Sequence, residues 1–372
     1  MKKPSSPNRI ADKAVLRDVA AGEAAVAIRV VIVTMDSHLS SAADKARRTL
    51  KRQYPALSLS IHAASEWSGH PAGLANCIAD IESADIVIAT MLFLEDHFLP
   101  VLPALKARRE NCDAMVCAMS APEVTKLTRM GQLDMSKPTS GLMSMLKKLR
   151  GKDKAKTGGN AEMKMLRRLP KILRFVPGTA QDMRAWFLSL QYWLGGSEEN
   201  IANLVRFLVN RYAAGPRARL ISDAAVTAPV EYPELGVYHP RLAGRFSEVA
   251  SDLPRPKESA GTVGLLLLRS YLLAGNAAHY DGVIAALEAK GLTVLPVFAA
   301  GLDARPAVDE FFVRDGRTIV DAVISLTGFS LVGGPAYNDA RSAITALTGL
   351  DVPYIAAHPS EFQSLDQWQE SS

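Results

Sequence analysis

The sequence contains few cysteines, and their spacing excludes two ways of stabilising a small fold. Cys77, Cys112 and Cys117 are the only three, and no two of them form a CxxC pair. This pattern argues against a disulfide framework and a structural zinc site, and it is typical of a reducing compartment. The 372 residues must therefore fold around hydrophobic cores, and a chain of this length is expected to form more than one.

Long apolar runs are also absent. The longest, at residues 86–94 and 263–273, fall short of the ~20 residues that a membrane-spanning helix needs, and Arg269 interrupts the second. The basic N-terminus is not followed by the apolar stretch of a secretory signal. We therefore expect buried strands at these runs and a cytoplasmic protein.

Aromatic residues make up 6% of the chain and are missing from its most basic segment. The formal net charge is +5, but Lys137 to Arg174 contains twelve basic residues against Asp153 and Glu162. This segment therefore carries +10 and the rest of the chain −5. Because no aromatic ring in it can stack on bases, nucleic-acid binding is not supported. Two interpretations stay open, a solvated helical face and a surface that docks to an acidic partner or to membrane head groups.

Strands alternate with helices in two parts of the chain. In the first part, strands are predicted at residues 26–35, 57–64, 84–93 and 114–119, with helices at 40–54, 74–82 and 97–109. In the second, they are predicted at 263–268, 292–299, 320–326 and 352–357, with helices at 279–290 and 340–347. This alternation is typical of parallel sheets covered on both faces, so the predicted fold class is α/β, with two Rossmann-like or flavodoxin-like units.

A helical hairpin and a Pro-rich connector are predicted to join the two units. The hairpin helices, at residues 182–194 and 200–212, are separated by Gly195-Gly196, with Ser197 as the expected N-cap. The aromatic stripe of Trp186, Tyr192 and Trp193 is interpreted as hairpin core and not as a cofactor site. Residues 227–256 contain five prolines, which predicts an ordered but irregular connector. The expected organisation is a flexible leader (1–25), an N-terminal α/β domain with the basic helical segment (26–180), the hairpin and connector (181–258), and a second α/β unit (259–372).

A glycine-rich loop follows the strand predicted at residues 320–326. It contains Gly328, Gly333 and Gly334, and it leads to Asp339. Free backbone amides at this edge could bind a ligand, because α/β sheets bind ligands at the carboxyl ends of their strands. The loop matches neither GxGxxG nor a P-loop, so ATP binding by this chain is not predicted. The alternative is a tight turn that only allows the loop to pack.

The seven histidines form no HExxH motif and no pair at metal-ligand spacing. His239 and His279 each lie beside a tyrosine and a turn residue at the mouth of an α/β unit, where a neutral imidazole could accept a proton or bind a metal. A hydrogen-bonded structural histidine is the alternative for each. The carboxylates that could bind Mg²⁺ if they converged are Glu231, Glu234, Asp281, Asp303 and Asp339.

Several long strings in the sequence resemble one known family. They are YPELGVYHP from Tyr232, VGLLLLRSYLLAGNAAHYDG from Val263, LTGFSLVGGPAYNDA from Leu326 and VPYIAAHPSEFQSLDQW from Val352. They are similar to the large H subunit of magnesium chelatase, the porphyrin-binding subunit of (bacterio)chlorophyll biosynthesis and a relative of the cobaltochelatase large subunit. Because family members are several times longer, the chain looks like their N-terminal portion, with 259–372 as the truncated start of a chelatase-type domain.

The resemblance implies that the whole subunit binds protoporphyrin IX and inserts Mg²⁺, its substrate metal, while ATP is hydrolysed by an AAA+ ATPase subunit and its co-subunit. No catalytic residue or metal ligand is carried over. The residues expected to face a substrate cavity are His239, Tyr271, His279, Gly328, Gly333, Gly334 and Asp339. Three hypotheses follow: a competent metallase, a non-catalytic tetrapyrrole-binding or partner-docking part of the subunit, and, from fold analogy alone, a nucleotide-sugar-type binding protein. The protein is expected to be cytoplasmic, and its basic segment could bind it peripherally to a membrane.

Overall fold

The computed structural model describes residues 26–35, 37–67, 69–137, 169–222, 226–334, 337–357 and 369. The predicted leader and residues 138–168 of the basic segment lie outside this part of the chain. The described residues form two six-stranded sheets and two short ribbons, with helices between the strands. The predicted α/β fold class is confirmed.

The first sheet combines four parallel strands with an antiparallel hairpin. Its strands are β1 (Ile28–Thr34), β2 (Leu57–Ala63), β3 (Ile86–Thr90), β4 (Ala114–Ala118), β5 (Arg129–Met130) and β6 (Leu133–Asp134). They are arranged in the order β2-β1-β3-β4-β5-β6; the pairs among β1 to β4 are parallel, and β5 pairs antiparallel with both β4 and β6. Every residue of β3 and β4 is buried, which explains why their sequences are apolar except for Thr90 at the end of β3.

Five helices connect these strands. They are α1 (Ser40–Lys51), α2 (Pro71–Ser83), α3 (Glu95–Phe98), α4 (Leu102–Arg108) and α5 (Pro122–Thr125). The single helix predicted at residues 97–109 is wrong, since α3 ends at Phe98 and α4 begins at Leu102. Pro100 in the gap lacks the backbone N–H that a continuous helix would need. Pro103 is tolerated because it occupies the first turn of α4.

The predicted helical hairpin is confirmed as α6 (Thr179–Gly195) and α7 (Glu198–Tyr212). Gly196 adopts the left-handed conformation at φ 52°, and the Ser197 side chain accepts a hydrogen bond from the Asn200 backbone N–H at 3.2 Å. Tyr192 and Trp193 are buried in the core that α1, α6 and α7 share with the first sheet. The stripe is therefore packed hairpin core, as the sequence predicts. Within the described residues, no helix has both the length and the apolar character that crossing a bilayer requires.

The second sheet contains strands β7 (Leu235–Tyr238), β8 (Phe246–Ser247), β9 (Thr262–Leu268), β10 (Thr293–Ala299), β13 (Ala322–Ser325) and β16 (Tyr354–Ala356). Two ribbons accompany it, β11 (Val313–Arg314) with β12 (Arg317–Thr318), and β14 (Gly333–Gly334) with β15 (Tyr337–Asn338). Its helices are α8 (Arg269–Ala274), α9 (Ala278–Glu288), α10 (Arg305–Phe311) and α11 (Ala340–Leu350). The strand order is β16-β13-β9-β10-β7-β8.

The expectation of an irregular connector at residues 227–256 needs correction, because this segment supplies two strands to the second sheet. β7 pairs antiparallel with β10, and β8 pairs antiparallel with β7. Strands of four and two residues carry too little periodicity to be recognised, and their partner β10 lies far along the chain. Gly236 fits here because a Cβ would stand 2.7 Å from the ring of Phe298. The second sheet therefore begins before residue 259.

The two sheets share one topology at their centres. β2-β1-β3-β4 and β10-β9-β13-β16 have the same order relative to the chain, and all eight strands run parallel to their neighbours within each set. The chain reverses its direction of winding between β1 and β3 in one sheet and between β9 and β13 in the other. Doubly wound sheets bind ligands outside the carboxyl ends of the strands at this point. The carboxyl edges of the two sheets at these switch points are therefore the candidate ligand-binding regions.

All three cysteines are buried and free. Burial raises the pKa of Cys77 to about 12 and that of Cys112 to about 11, and it raises the pKa of Cys117 further. Their thiols are therefore neutral and protected packing groups at physiological pH.

Candidate functional site at the junction of the two sheets

The second unit is seated on the carboxyl edge of the first sheet. His38 lies in the loop that follows β1, and Tyr271 lies on α8, which follows β9 directly. The ring centroids of these two residues are 5.7 Å apart, and both side chains are buried. Ala274, also on α8, belongs to the hydrophobic core of the first unit. The switch-point edges of both sheets therefore contribute to one junction.

Two residues of α9 complete an aromatic group at this junction. His279 meets Tyr271 edge-to-face at 5.6 Å, and its ring centroid is 3.9 Å from that of Tyr280. The Tyr280 hydroxyl accepts a hydrogen bond from the Leu268 backbone N–H at 3.3 Å, which ties the ring to the end of β9. We name His38, Tyr271, His279 and Tyr280 the junction cluster. It places the exposed imidazole of His279 on a base of buried rings, an arrangement that suits contact with a flat aromatic molecule.

Two hydroxyls mark the switch point of the first sheet. The register that pairs Val33 with Ala89 brings Thr34 opposite Thr90 at the carboxyl ends of β1 and β3. Both residues are buried, and neither hydroxyl has a hydrogen-bond partner among the described residues. Such groups are rare in folded proteins and call for an explanation. The sequence did not identify them, because threonine is an ordinary strand residue.

His239 occupies a structural position between β7 and α9. Its Nδ1 accepts a hydrogen bond from the Arg241 backbone N–H at 3.1 Å, so the proton lies on Nε2, which donates to Glu288 Oε1 at 3.2 Å. Arg241 Nη2 donates to the same carboxylate oxygen at 2.5 Å. Both ring nitrogens are thus engaged, which leaves no lone pair for a metal or a substrate proton. The expectation that this residue faces a substrate cavity stays a prediction.

The free energy of unfolding should fall as the pH falls below about 6.5, in part because of His239. Burial lowers the pKa of this imidazole in the folded chain, although its hydrogen bond to Glu288 opposes the shift. The unfolded chain therefore takes up the proton first, and stability is full above the unfolded pKa and lost as the pH falls through it towards the folded pKa. Urea unfolding between pH 8 and 5 measures this loss.

His97 titrates in the same direction, since burial lowers its pKa as well. The test is therefore the difference between the wild-type chain and His239→Gln. The substitution should flatten the pH dependence while His97 keeps its share. Identical slopes for the two proteins would show that His239 is not held in the neutral form.

The glycines and Asp339 of the glycine-rich loop are mostly engaged in turns, strand pairing and helix capping. Gly328 has φ 71° and Gly333 has φ 134°, values that favour glycine. The Gly333 N–H donates to Leu302 O at 2.8 Å, and Gly334 pairs with Tyr337 across β14 and β15. The Asp339 carboxylate caps α11 and accepts hydrogen bonds from the backbone N–H and the hydroxyl of Ser342 at 3.0 and 2.7 Å.

A small cavity lies between this loop and the carboxyl ends of β9, β10 and β13. Leu266, Phe298, Ser325, Phe329 and Gly333 are among its lining residues, and its volume is ≈ 20 Å³. That volume holds about one water molecule. The cavity in this form is far too small for a macrocycle, so the turn interpretation of the loop is the one that its geometry favours.

The five carboxylates considered for Mg²⁺ do not form a cluster. Asp281 accepts hydrogen bonds from the Tyr238 hydroxyl and from Arg245 Nη2, both at 2.5 Å. Asp303 is paired with Arg305 at 2.7 Å, and Asp339 is the helix cap described above. In the part of the chain that the structure describes, no group of three or more His, Cys, Asp or Glu residues is placed to hold a metal ion.

Comparison with known families divides the chain within α6, the first hairpin helix. Residues 29–187 match a family described as a domain of unknown function, DUF3479, and residues 190–372 match the family described as CobN/Magnesium Chelatase. The second match, together with the sequence relatives described next, shows that the chain belongs to the CobN/magnesium chelatase family.

Curated relatives narrow this class to one type of subunit. The chain is 55% identical to the magnesium-chelatase H subunit of Cereibacter sphaeroides and 50% identical to that of Rhodobacter capsulatus. Both alignments extend over 343 residues, or 92% of this chain. It is 36% identical over 313 residues to the chloroplastic ChlH subunit of Oryza sativa subsp. indica. The chain spans 28% of the length of the two bacterial relatives and 22% of the rice protein.

A solved structure is also similar. It is the catalytic subunit of cobaltochelatase from Mycobacterium tuberculosis, with a TM-score of 0.40 and 16% identity, and the match covers 92% of this chain and 22% of that one.

Proposed function

We propose that the chain works as part of an H-type subunit of magnesium chelatase, in the insertion of Mg²⁺ into protoporphyrin IX for (bacterio)chlorophyll synthesis. In this proposal the ATP is hydrolysed by an AAA+ ATPase subunit and its co-subunit. The identity of 55% over 92% of the chain supports the assignment. Because the chain spans 28% of that relative, the metal-inserting activity is proposed for the complete complex, with both the tetrapyrrole and Mg²⁺ as its substrates.

The contribution that we propose for this part of the subunit is tetrapyrrole contact at the junction cluster. The main support for this role is the exposed imidazole of His279, which is in edge-to-face contact with the buried ring of Tyr271, with 5.6 Å between the two ring centroids. A flat apolar macrocycle can lie against such rings, and an imidazole can exchange a proton with a pyrrole nitrogen. Because the chain spans 28% of the bacterial relatives, we expect binding without turnover by this chain alone.

Partner docking is the second proposed role. Its basis is the +10 charge of the basic segment, most of which lies outside the described residues, and docking of that segment to an acidic partner or a membrane surface stays a prediction.

Replacing His279 by alanine should weaken the binding of deuteroporphyrin IX about five- to tenfold, which corresponds to about 1 to 1.4 kcal/mol. The substitution removes an exposed ring and leaves the buried part of the junction cluster in place. Titration of the purified chain, followed by Soret absorbance, gives the dissociation constant. His70→Ala is the matched control, because it removes an exposed imidazole that is not a member of the junction cluster.

Each outcome of this titration has a distinct meaning. A wild-type chain that causes no Soret shift would refute tetrapyrrole contact by these residues. Equal weakening by His279→Ala and His70→Ala would show that the junction cluster is not the contact. Addition of Mg²⁺, ATP and the two partner subunits tests catalysis, and turnover with this chain in place of the complete H-type subunit would overturn the binding-only role.

A further inference from the structure

A lysine of the first unit lies against the turn that follows α8. Lys45 is a half-buried residue of α1, and its Nζ is 3.2 Å from the position that a Cβ would take at Gly275. Gly275 caps α8, and its backbone N–H donates to the carbonyl oxygens of Tyr271 and Leu272. Because four residues of helix rise about 6 Å, the Lys45 ammonium lies about one helical turn along α8 from Tyr271. The first unit therefore places a positive charge beside the junction cluster.

This charge has no partner within the part of the chain that the structure describes. There, no carboxylate pairs with Lys45 and no other group accepts a hydrogen bond from it. Two arginines of the second unit are engaged, by contrast. Arg269, which begins α8, donates to two backbone carbonyl oxygens, and Arg245 pairs with Asp281 of α9 at 2.5 Å. Lys45 is thus the cation at this junction that can bind an anionic group of a ligand.

A tetrapyrrole carries the matching charge. Protoporphyrin IX has propionate groups at its rim, and they are ionised at neutral pH because their acidity is that of a glutamate side chain. A lysine ammonium binds such a carboxylate through charge-assisted hydrogen bonds, and its flexible stem lets it follow the group.

We propose that Lys45 binds a propionate carboxylate of the tetrapyrrole whose ring lies against His279 and Tyr271. The inference rests on the tetrapyrrole contact proposed above, and it adds an orientation, since the propionate edge of the macrocycle then faces α1. Both units contribute to the site in this arrangement. The second unit supplies the rings that contact the macrocycle, and the first supplies the charge that selects a carboxylate-bearing substrate.

A structural role for Lys45 is the alternative. A positive charge near the carboxyl end of a helix is stabilising, and α8 ends at Ala274, directly before Gly275. However, α8 has only six residues, and among the described residues none of its carbonyl oxygens accepts a hydrogen bond from Lys45. The two roles predict different results, because only the ligand role depends on a carboxylate.

The dimethyl ester of deuteroporphyrin IX tests the proposal, because esterification removes the carboxylates and keeps the macrocycle. Both ligands are titrated into the 372-residue chain in the same mild detergent and followed by Soret absorbance. Lys45→Met should weaken binding of the free acid about five- to tenfold and leave binding of the ester unchanged. Lys45→Arg keeps the charge and should retain most of the affinity for the free acid. Lys51→Met is the matched control, because it removes an exposed lysine at the last residue of α1.

The outcomes separate this inference from the function on which it rests. A wild-type chain that gives no Soret shift with either ligand would overturn the tetrapyrrole contact and the inference with it. If the wild-type chain binds but Lys45→Met has no effect, or weakens free acid and ester equally, the inference is wrong and the tetrapyrrole contact stands. Equal weakening by Lys51→Met would show an effect of net charge and would also overturn it. Thermal unfolding controls for the fold, and Lys45→Met should unfold at the wild-type temperature; a lower temperature with unchanged binding would assign Lys45 the structural role.

Discussion

Replacing Asp182 by alanine should lower the free energy of unfolding by about 3 kcal/mol, because the substitution leaves several donors without their acceptor. Asp182 lies in the first turn of α6 and is buried. Its Oδ2 accepts a hydrogen bond from the Gln132 backbone N–H at 2.8 Å. Its Oδ1 accepts from Arg211 Nη2 at 3.1 Å and from the Tyr212 hydroxyl at 2.9 Å. One carboxylate therefore joins the β5–β6 turn to both hairpin helices.

Urea unfolding measured by tryptophan fluorescence is a suitable assay, because Trp186 and Trp193 lie on α6 itself. Asp44→Ala is the matched control. The side chain of Asp44 is 57% exposed and pairs with Arg47 on the surface of α1, so its loss should change stability by less than about 1 kcal/mol. Asp182→Asn should fall between the two, since it keeps the shape and one acceptor oxygen. A loss for Asp182→Ala no larger than that for Asp44→Ala would show that the network does not stabilise the fold.

Elements with a strong local signal were predicted well. The apolar strands β1, β3, β4, β9 and β10 follow from continuous runs of β-branched and aliphatic residues, and the hairpin follows from helical spacing with a double glycine between its helices. Elements that depend on distant partners were missed. The strands β5 to β8 have two to four residues each, and α8 has six, so none of them contains more than two periods of its pattern. Their structure comes from pairing and packing, which a local sequence does not encode.

In the candidate site, too, residues close together in the sequence were predicted, and residues brought in from distant parts of the chain were missed. Tyr271 and His279 were predicted from a single stretch of sequence, and the structure brings their rings together. His38 and Thr34 lie more than two hundred residues earlier, and only the seating of α8 on the first sheet brings His38 into the cluster. The sequence could not distinguish His239 from His279, because the hydrogen-bond partner of His239 is Glu288, which lies 49 residues further along the chain on α9. Residue type and a neighbouring tyrosine made both histidines candidates for the site. The structure distinguishes them, because His239 is buried and hydrogen-bonded through both ring nitrogens, whereas His279 is exposed.

Substituting alanine for Gly264 should destabilise the second unit by about 3 kcal/mol, and valine at this position should prevent its folding. Gly264 lies in β9, where it is opposite Leu295 of β10 and Val323 of β13. A Cβ added here would stand 2.6, 2.8 and 2.9 Å from three atoms of the Phe312 ring. Phe312 is completely buried, so the ring cannot move into solvent to relieve the contact. The glycine is needed for space, since its φ lies outside the left-handed region.

Thermal unfolding followed by circular dichroism measures this effect, and Gly282→Ala is its matched control. A Cβ at Gly282 meets no atom within 4 Å, and the residue lies within α9 of the same unit. Alanine there should raise stability by up to about 1 kcal/mol through helix propensity, so the two glycines should respond with opposite signs. Phe312→Leu should recover part of the loss in Gly264→Ala, because it removes the ring atoms that the new methyl group meets. If Gly264→Ala unfolds at the wild-type temperature, the packing of Phe312 against β9 is looser than the geometry indicates, and the central strand of the second sheet does not depend on this contact.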